Sequence, residues 1–518
     1  MKPGEITEDQ GETVALLENP ATHGGHRPTR IDTHAAMVFL AGDRAWKLKR
    51  AVWFPFLDFS DSDKRRAACE AEVRLNRRTA PELYLGCRPI VRRADGKLAI
   101  GGDGAPVDWV VEMRRFDQDL LFDRMAERGA LTPAQMTALA DAIAEFHAAA
   151  EIRRDRGGTE AMRWIVQDNL EEMAALPGIF PVARIAVLRK RSEENLRRNT
   201  ALLDGRRQAG LVRHCHGDLH LRNICLLDGK PTLFDCLEFD ERLACTDTLY
   251  DLAFLLMDLD HRGRVDFANL VLNRYLQRTG DLGGLAALPL FLSCRAAIRA
   301  KIEASGAPHQ KDAARAESMR AAAHDYLERA IGAMAPWRPL ILGIGGESGS
   351  GKSTVAGLVA PYLGGSPGAV VIRSDVTRKR LFGLRMEDRL PEQAYGDEAT
   401  ERTFSQMIDD AWTVVAASLP AIADAVYARP DERDSLEAAA RRAGVPFIGI
   451  WLDVPLATRI ARVDRRRADA SDATADFLRA NPLRETGPMK WLRVDAAGDA
   501  ETVAASILAL LRERGLSR

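Results

Sequence analysis

The chain has 518 residues, of which 46% are hydrophobic and 28% charged, and its formal net charge is −1. This length exceeds a single ordinary core, so two or three domains are expected, and the balanced charge argues against nucleic acid or an anionic membrane as a partner. A polar, acidic start and the lack of a long apolar run predict neither a signal peptide nor a spanning helix, and so a cytoplasmic protein. Seven cysteines without a CxxC pair predict reduced thiols.

The first two-thirds of the chain predict two lobes of different composition. Between residues 30 and 115, four apolar runs alternate with turn signals, and one helical stretch lies near 64–79, which predicts a small antiparallel sheet that carries a helix. Residues 117–332 are mostly helical in pattern, with a strand-like island at 224–236. The segment APWRP at 335–339 contains two prolines that cannot continue a helix, so we place the domains at 1–335 and 336–518.

The last third of the chain has a different pattern. Five short apolar runs rich in β-branched residues alternate with helical stretches, which predicts a parallel sheet covered on both faces. The predicted fold is therefore an N-terminal two-lobed domain followed by an α/β nucleotide-binding domain.

The segment HGDLHLRN at 216–223 has the HxDxxxxN spacing of a kinase catalytic loop, and Asp235 follows at the end of an apolar strand. This spacing would let Asp218 take a proton from the acceptor while Asn223 and Asp235 hold magnesium against the phosphates of ATP. The alternative is a polar hairpin with a structural role only.

The rest of a kinase site is expected upstream of this loop. Lys47, on the predicted strand RAWKLKR, is the candidate for the α and β phosphates, and Lys49 on the same face is the runner-up. Glu70 and Glu72 on the predicted helix compete for pairing with that lysine; we choose Glu72, and a solvated helix face is the alternative for both. The backbone near Met113 would be the hinge that meets adenine.

On these motifs, residues 30–305 resemble the aminoglycoside phosphotransferase family, a relative of protein kinases, whose HGDLHxxN is matched here. The resemblance implies an ATP- and Mg²⁺-dependent kinase, and a structural role for Asp251 in the helix after Asp235. No GxGxxG loop is present, so LAGDR at 40–44 is the candidate for gripping the nucleotide. An aminoglycoside acceptor is not implied, because no acidic cluster specific to it is found.

The acceptor is predicted to be a small hydroxyl-bearing molecule rather than a protein. The segment between Asp235 and the apolar helix near 249 is too short for an activation segment, and no APE motif follows Asp235 in the sequence. About 100 mostly helical residues between the hinge and the catalytic loop would wall in a small acceptor.

The string GESGSGKST at 346–354 fits the phosphate-binding loop GxxxxGK[ST] between a strand and a helix. Its glycines let backbone N–H groups wrap phosphates, Lys352 would reach the β and γ oxygens, and Ser353 would ligate magnesium. The alternative is a chance Gly/Ser loop. The candidate residues are Gly346, Gly349, Gly351, Lys352, Ser353 and Thr354.

Further polar residues follow the next two strands. Asp375 is the candidate base or acceptor contact, with a helix N-cap as the alternative. Asp424 is a candidate magnesium ligand through water, with a turn aspartate as the alternative. The arginine-rich stretch 459–473 predicts either a lid, with Arg462 and Arg466 as phosphate-binding cations, or a solvated helix face.

This last third resembles the small P-loop kinases, such as gluconate kinase, chloramphenicol phosphotransferase and polynucleotide kinase. The combined order resembles a bacterial class of fused phosphotransferase and ATP-binding proteins. Three hypotheses follow: two kinase domains that act on small hydroxyl compounds, in succession on one metabolite; one kinase domain regulated or driven by ATP in the other; or a C-terminal nucleic-acid end kinase. The near-neutral charge and the lack of aromatic residues within the basic run disfavour the third.

Overall fold

The computed structural model describes residues 4–54, 57–176, 178–310, 312–465, 471–472, 474–480 and 486–517. It separates into two compact units, one formed by Met1–Ala161 with Leu203–Leu255 and the other by Met162–Leu202 with Leu256–Arg518. The helical residues 256–333, which precede the predicted boundary, therefore group with the C-terminal part of the chain. The predicted sequence boundary at 335 remains a prediction.

The first unit begins with a six-stranded antiparallel sheet. The strand order is β2-β3-β4-β9-β7-β8, and β1, β5 and β6 form a small separate sheet. Helix α2, capped at its start by the Asp61 side chain, packs on the larger sheet through Cys69 and Val73. The elements are β1 (Glu5–Ile6), α1 (Gly11–Glu18), β2 (Thr29–Asp32), β3 (Ala36–Ala41), β4 (Arg44–Lys49), β5 (Val52–Phe54), β6 (Leu57–Asp58), α2 (Ser62–Asn76), β7 (Tyr84–Arg92), β8 (Leu98–Ile100) and β9 (Ala105–Arg114).

A mostly helical region follows, interrupted by two short antiparallel pairs, β10-β13 and β11-β12. Local sequence explains where helices begin: Thr132 and Gln135 form a capping box at the start of α4, and Pro133 occupies its first turn. The elements are α3 (Phe122–Glu127), α4 (Pro133–Ala149), α5 (Gly158–Ala174), α6 (Val182–Gln208), β10 (Val212–His214), β11 (Ile224–Leu227), β12 (Lys230–Leu233), α7 (Glu241–Ala244), β13 (Cys245–Asp247), α8 (Thr248–His261), α9 (Val265–Thr279), α10 (Leu288–Gly306) and α11 (Ala313–Ala333).

The C-terminal sheet is parallel throughout, with the order β15-β16-β14-β17-β18. The central strand β14 is buried along its whole length, as a strand covered on both faces should be. The predicted fold class is therefore confirmed. The elements are β14 (Ile341–Gly346), α12 (Lys352–Val359), β15 (Val370–Arg373), α13 (Ser374–Leu381), α14 (Asp397–Ala416), β16 (Ala421–Asp424), α15 (Pro430–Ala443), β17 (Phe447–Asp453), α16 (Leu456–Asp464), α17 (Ala475–Ala480), β18 (Leu492–Asp495) and α18 (Ala500–Glu513).

One aromatic side chain covers part of this sheet. A Cβ atom placed on Gly449 would lie 2.3 Å from the Trp491 ring, and one on Gly343 would lie 2.6 Å from it. Gly343 and Gly449 are register partners on β14 and β17, and Gly345 also approaches the ring. The indole therefore rests on backbone that carries no side chains at these positions.

Among the described residues, the segment Leu282–His309 has the length and composition to cross a membrane, with a mean hydropathy of 1.3 in its most apolar window. Two-thirds of that window is buried within the protein, as in core helices of soluble proteins that pass the same test. The sequence expectation that no such stretch exists was therefore too strong.

Candidate active sites

The loop after β10 holds the predicted base. Asn223 donates from its amide nitrogen to Asp218 Oδ2 at 2.8 Å and to the Asp218 carbonyl at 3.0 Å, and His220 Nε2 lies 3.3 Å from the same carboxylate. The Asp218 side chain is 40% exposed. A carboxylate that is oriented by neighbours yet open to solvent can accept a proton from a small molecule.

A fully buried carboxylate, that of Asp251, holds this loop in place through hydrogen bonds. Asp251 on α8 accepts hydrogen bonds from the backbone N–H groups of His216 (3.1 Å) and Gly217 (2.8 Å), and it also contacts His147 Nε2 at 3.1 Å. Cys215 completes a buried group whose potential metal-ligand atoms lie within 4.8 Å of one another. Because the Asp251 oxygens already bind backbone N–H groups, the arrangement fits the structural role that the resemblance implies.

Asp235 follows β12 in a left-handed backbone conformation, with φ at 62°. Its N–H donates to the Tyr84 hydroxyl at 3.1 Å, and the next N–H, of Cys236, donates to Asn76 Oδ1 at 2.8 Å. A non-glycine residue held in this conformation needs such support, and strained positions of this kind cluster at functional sites. Tyr84 and Asn76 are supporting residues that the sequence analysis missed.

The candidate lysines meet their carboxylates in a buried cluster. Lys47 Nζ lies 2.8 Å from Glu72 and 2.6 Å from Asp235, and Lys49 Nζ contacts both Glu72 and Glu238. Burial alone would raise the pKa of the Glu72 carboxyl, but the adjacent charges of the two lysines lower this pKa to about 2. Glu72 is therefore a buried anion shared by two cations. Glu238, three residues after Asp235, was not predicted.

The other candidate carboxylate lies elsewhere on α2. Glu70 is half exposed and pairs with Arg66 one helical turn away, at 2.9 Å. It has the solvated position that the sequence analysis gave as an alternative. The choice of Lys47 and Glu72 agrees with these contacts, and their catalytic roles remain predictions.

Met113 lies buried at the end of β9, opposite Ala45 on β4. The LAGDR turn contacts the same end of the sheet: Arg44 pairs with Arg114, and the Arg115 N–H donates to the Asp43 carbonyl at 2.8 Å. This turn therefore lies at the same end of the sheet as Met113, and its role in gripping the nucleotide remains a prediction. At the other end of β3, Ala36 pairs with Lys49 next to the β2–β3 turn at 33–35, whereas Lys47 pairs with Val38 within the strand.

The second site is built at the carboxyl end of β14. Gly346, Gly349 and Gly351 all have positive φ. A Cβ atom on Gly349 would lie 2.8 Å from the Arg459 carbonyl of α16, so a side chain there would collide with backbone. The loop thus has the glycine-dependent conformation that lets N–H groups face an anion at the start of α12.

Lys352 and Ser353 occupy the first turn of α12. Lys352 Nζ donates to the Glu347 carbonyl at 3.1 Å, and Ser353 Oγ donates to Asp424 Oδ2 at 2.5 Å. Asp424 is almost completely buried at the end of β16, and Arg373 Nε lies 3.6 Å from it. The predicted magnesium ligands Ser353 and Asp424 therefore lie together.

Asp375 lies in the first turn of α13 and faces the same cavity as Lys352. The N-cap position of that helix is Arg373, so Asp375 lies at its second helical position, and both of its considered roles remain predictions. The cavity has a volume of about 730 Å³, and Gly349, Gly351, Ser353 and Thr354 also line it. This size suits a nucleotide.

The arginine-rich helix α16 borders this cavity. Arg462 donates to the carbonyl oxygens of Ser350 (3.1 Å), Ala496 (2.8 Å), Ala497 (3.2 Å) and Gly498 (2.7 Å). These bonds hold its guanidinium against the phosphate-binding loop, and its role as a mobile lid cation remains a prediction. Arg465, which was not singled out, also lines the cavity, and Arg466 lies outside the described residues.

Comparison with known proteins covers both halves. The Phosphotransferase enzyme family matches residues 48–288, and an AAA domain matches 341–481. An uncharacterized protein of Mycobacterium tuberculosis (strain H37Rv) is 30% identical over 482 residues, which cover 91% of this chain and 92% of that protein. The chain belongs to the same family as this protein, and it combines a phosphotransferase domain with a P-loop kinase domain. A Mycobacterium bovis protein matches to the same extent.

Solved kinase structures resemble the separate halves of this two-domain phosphotransferase. A choline/ethanolamine kinase family protein from Mesorhizobium loti is 15% identical and covers 62% of this chain and 98% of its own, with a TM-score of 0.40. The Mycobacterium tuberculosis APS kinase, in complex with AMPPNP and APS, is 21% identical and covers 34% of this chain and 99% of its own, with a TM-score of 0.27. A gluconokinase from Sinorhizobium meliloti 1021 is 19% identical, covers 34% and 96%, and has a TM-score of 0.25. These likenesses assign no acceptor.

Proposed function

We propose that this phosphotransferase has two separate ATP sites and phosphorylates a small hydroxyl-bearing molecule in the cytoplasm, the two sites acting in succession on one metabolite. The observation that carries the proposal is that each site has its own lysine, its own carboxylate that can act as a base, and its own oxygen ligands for a metal ion. An ATP site that served only as a switch would not need a second base.

The first site fits MgATP by the chemistry of its donors. Kinase families of this kind use ATP with a divalent metal ion. Here Lys47, held by Glu72, would bind the α and β phosphates, and the oxygens of Asn223 and Asp235 would hold magnesium, whose charge neutralises that of the phosphates. Asp218 would accept the proton of the acceptor hydroxyl as the phosphoryl group is transferred to that oxygen.

The second site fits MgATP by the shape of its loop. The backbone N–H groups of Gly349 and Gly351 and the Lys352 ammonium would bind the β and γ phosphates. Ser353 and Asp424, now hydrogen bonded to each other, are the oxygen donors for magnesium. Asp375, in the same cavity, would take the proton of a second hydroxyl.

Complementation between two variants tests the order of events. Asp218→Ala removes the base of the first site, a loss that usually costs about 100-fold to 10,000-fold in rate. Lys352→Ala removes the phosphate cation of the second site. Hydroxylated metabolites are first screened with the unmodified chain and ATP by mass spectrometry. We then expect each variant to lose one phosphorylation, and a mixture of both to restore the doubly phosphorylated product.

The second candidate function, in which ATP at one site regulates the other, predicts a different result. Both variants would then lose the same single product, and mixing would restore nothing. If no transfer depends on Lys352 alone, the C-terminal site must be reassigned from kinase to ATP-driven regulator. Should neither variant change any product, both forms of the proposal would be rejected.

A further inference from the structure

Helix α9 lies along the edge strand of the C-terminal parallel sheet. Strand β15 pairs with β16 on one side only, so the backbone groups of its other side need partners. Two asparagines one turn apart on α9, Asn269 and Asn273, supply them, and both are nearly fully buried. The edge of the sheet is therefore closed by a helix rather than by a further strand.

The Asn273 side chain bonds like a peptide group of a neighbouring strand. Its Oδ1 accepts from the Val371 N–H at 2.7 Å, and its Nδ2 donates to the Ala369 carbonyl at 3.1 Å. Asn269 Nδ2 donates to the carbonyls of Pro367 (2.8 Å) and Ala369 (2.9 Å). Buried backbone groups left without partners are costly, so these amides stabilise the position of β15.

Helix α9 packs so closely against the segment before β15 that it restricts the residue type at Gly368. Gly368 has a φ of 100°, and a Cβ atom there would lie 2.9 Å from Asn269 Nδ2 and 2.4 Å from the Ala360 carbonyl. On the solvent side, Arg274 and Arg278 of α9 both pair with Glu387. The contact is thus a buried polar core with a charged rim.

Strand β15 leads directly into the second phosphate site. Arg373, two residues after Val371, ends the strand next to Asp424, which in turn accepts from Ser353. Asp375 follows two residues later in the same cavity. A shift of β15 along its axis would therefore move the proposed base relative to the proposed magnesium ligands.

We infer that Asn273 is a positioning residue of the second phosphate site, which acts through β15 on Asp375 and on the Asp424–Ser353 pair. The inference rests on the proposed function of that site. The inference also means that α9 supports the P-loop kinase fold, although this helix lies within the part matched by the Phosphotransferase enzyme family. A fragment that begins at residue 336 lacks this helix.

The test uses full-length variants and Mg²⁺-dependent nucleotide binding. ADP is titrated by calorimetry with and without Mg²⁺, and the Lys352-dependent component is the part lost in Lys352→Ala. Asn273→Leu removes both strand bonds. The matched control is Asn199→Leu on α6, which replaces an equally buried asparagine whose side chain donates to the Asn195 carbonyl of its own helix.

The quantity compared is the factor by which Mg²⁺ increases the affinity for ADP, called the Mg²⁺ gain. In Asn273→Leu we expect this factor to be about tenfold smaller than in the unmodified chain, which is the scale of one buried hydrogen bond left unmade. Affinity without Mg²⁺ should stay unchanged, as should both affinities in Asn199→Leu. A purely structural role would lower thermal stability in both variants and leave the Mg²⁺ gain intact. That outcome, or an equal loss in the control, would overturn the inference.

Asn273→Asp keeps the shape of the side chain and provides a second test in case Asn273→Leu does not fold. Its carboxylate would face the Ala369 carbonyl, while the protonated form would again donate to it. Burial raises the pKa of such a group, so the Mg²⁺ gain should be low at pH 8 and should recover at pH 6, relative to the unmodified chain. The absence of recovery would contradict the inference. If the unmodified chain shows no Lys352-dependent binding, the proposed function of the site fails first.

Discussion

Replacement of Glu72 by glutamine is expected to destabilise the first unit strongly. The Glu72 side chain has no exposed surface, and it is shared by Lys47 and Lys49, of which Lys49 is 2% exposed. Removal of one partner from a buried ion pair typically costs about 3–5 kcal/mol, and the contacts of Lys47 with Asp235 and of Lys49 with Glu238, which remain, place the expected cost at the lower end of that range. This is a large part of the total stability of a domain, about 5–15 kcal/mol.

Glu70→Gln is the matched control, because it makes the same chemical change on the same helix, two residues away. Glu70 is half exposed, and its pair with Arg66 lies within one turn. Exposed pairs of this kind contribute about 0–1 kcal/mol, since water screens them. The loss in the free energy of unfolding is therefore expected to be several-fold larger in Glu72→Gln than in Glu70→Gln.

Urea denaturation followed by circular dichroism measures both variants, with hydrogen exchange of the α2 amides as a probe local to the first unit. In a Lys352→Ala background, calorimetry then reports ATP binding to the first site alone. We expect Glu72→Gln to weaken this binding and Glu70→Gln to leave it unchanged. Equal destabilisation by the two changes, or normal ATP affinity in Glu72→Gln, would refute the buried cluster as the support of Lys47.

Four further outcomes are expected. Because the pKa of Glu72 is lowered to about 2, its contribution of about 3 kcal/mol should be complete above pH 4.5 and lost as the pH falls toward 2, which acid titration of stability at constant ionic strength can check. Asp251→Asn should lower the free energy of unfolding by about 1–3 kcal/mol, because it weakens the hydrogen bonds that hold the catalytic loop. It should also lower the turnover of the first site, and unchanged kinetics would contradict this. Cys236→Ser should keep near-normal turnover, because phosphoryl transfer needs no thiol, whereas total loss with an intact fold would point to a chemical role. Gly349→Ala should abolish Lys352-dependent nucleotide binding, as judged by calorimetry, because its Cβ would collide with α16.

The features that could be predicted from sequence are those that a short segment specifies alone. The spacing of Asp218, Asn223 and Asp235 lies within 18 residues, and the phosphate-binding loop within nine. Alternation of apolar runs with helices was enough to predict the parallel sheet, because both faces of such a sheet are buried. Lys47, the sequence candidate for the phosphates, contacts both Glu72 and Asp235, and its role remains a prediction.

The features that could not be predicted depend on partners far apart in the chain. Tyr84 supports Asp235 from 151 residues away, and Lys49 meets Glu238 across 189 residues. LAGDR carries a turn signal, but only the strand register shows which end of the sheet it occupies. Asn269 and Asn273 read as polar positions of an amphipathic helix, and nothing local shows that a sheet edge lies opposite them.

The packing of Trp491 restricts how this sheet can vary among related chains. Its ring fills the volume that side chains at Gly343, Gly345 and Gly449 would occupy, so these four positions share one space. A side chain at Gly343 or Gly449 requires the indole to shift or to be exchanged for a smaller group, whereas a Cβ atom at Gly345 would lie 3.1 Å from the ring and requires a smaller adjustment. Substitutions at these sites should therefore be correlated across the family, although the residues are up to 148 positions apart.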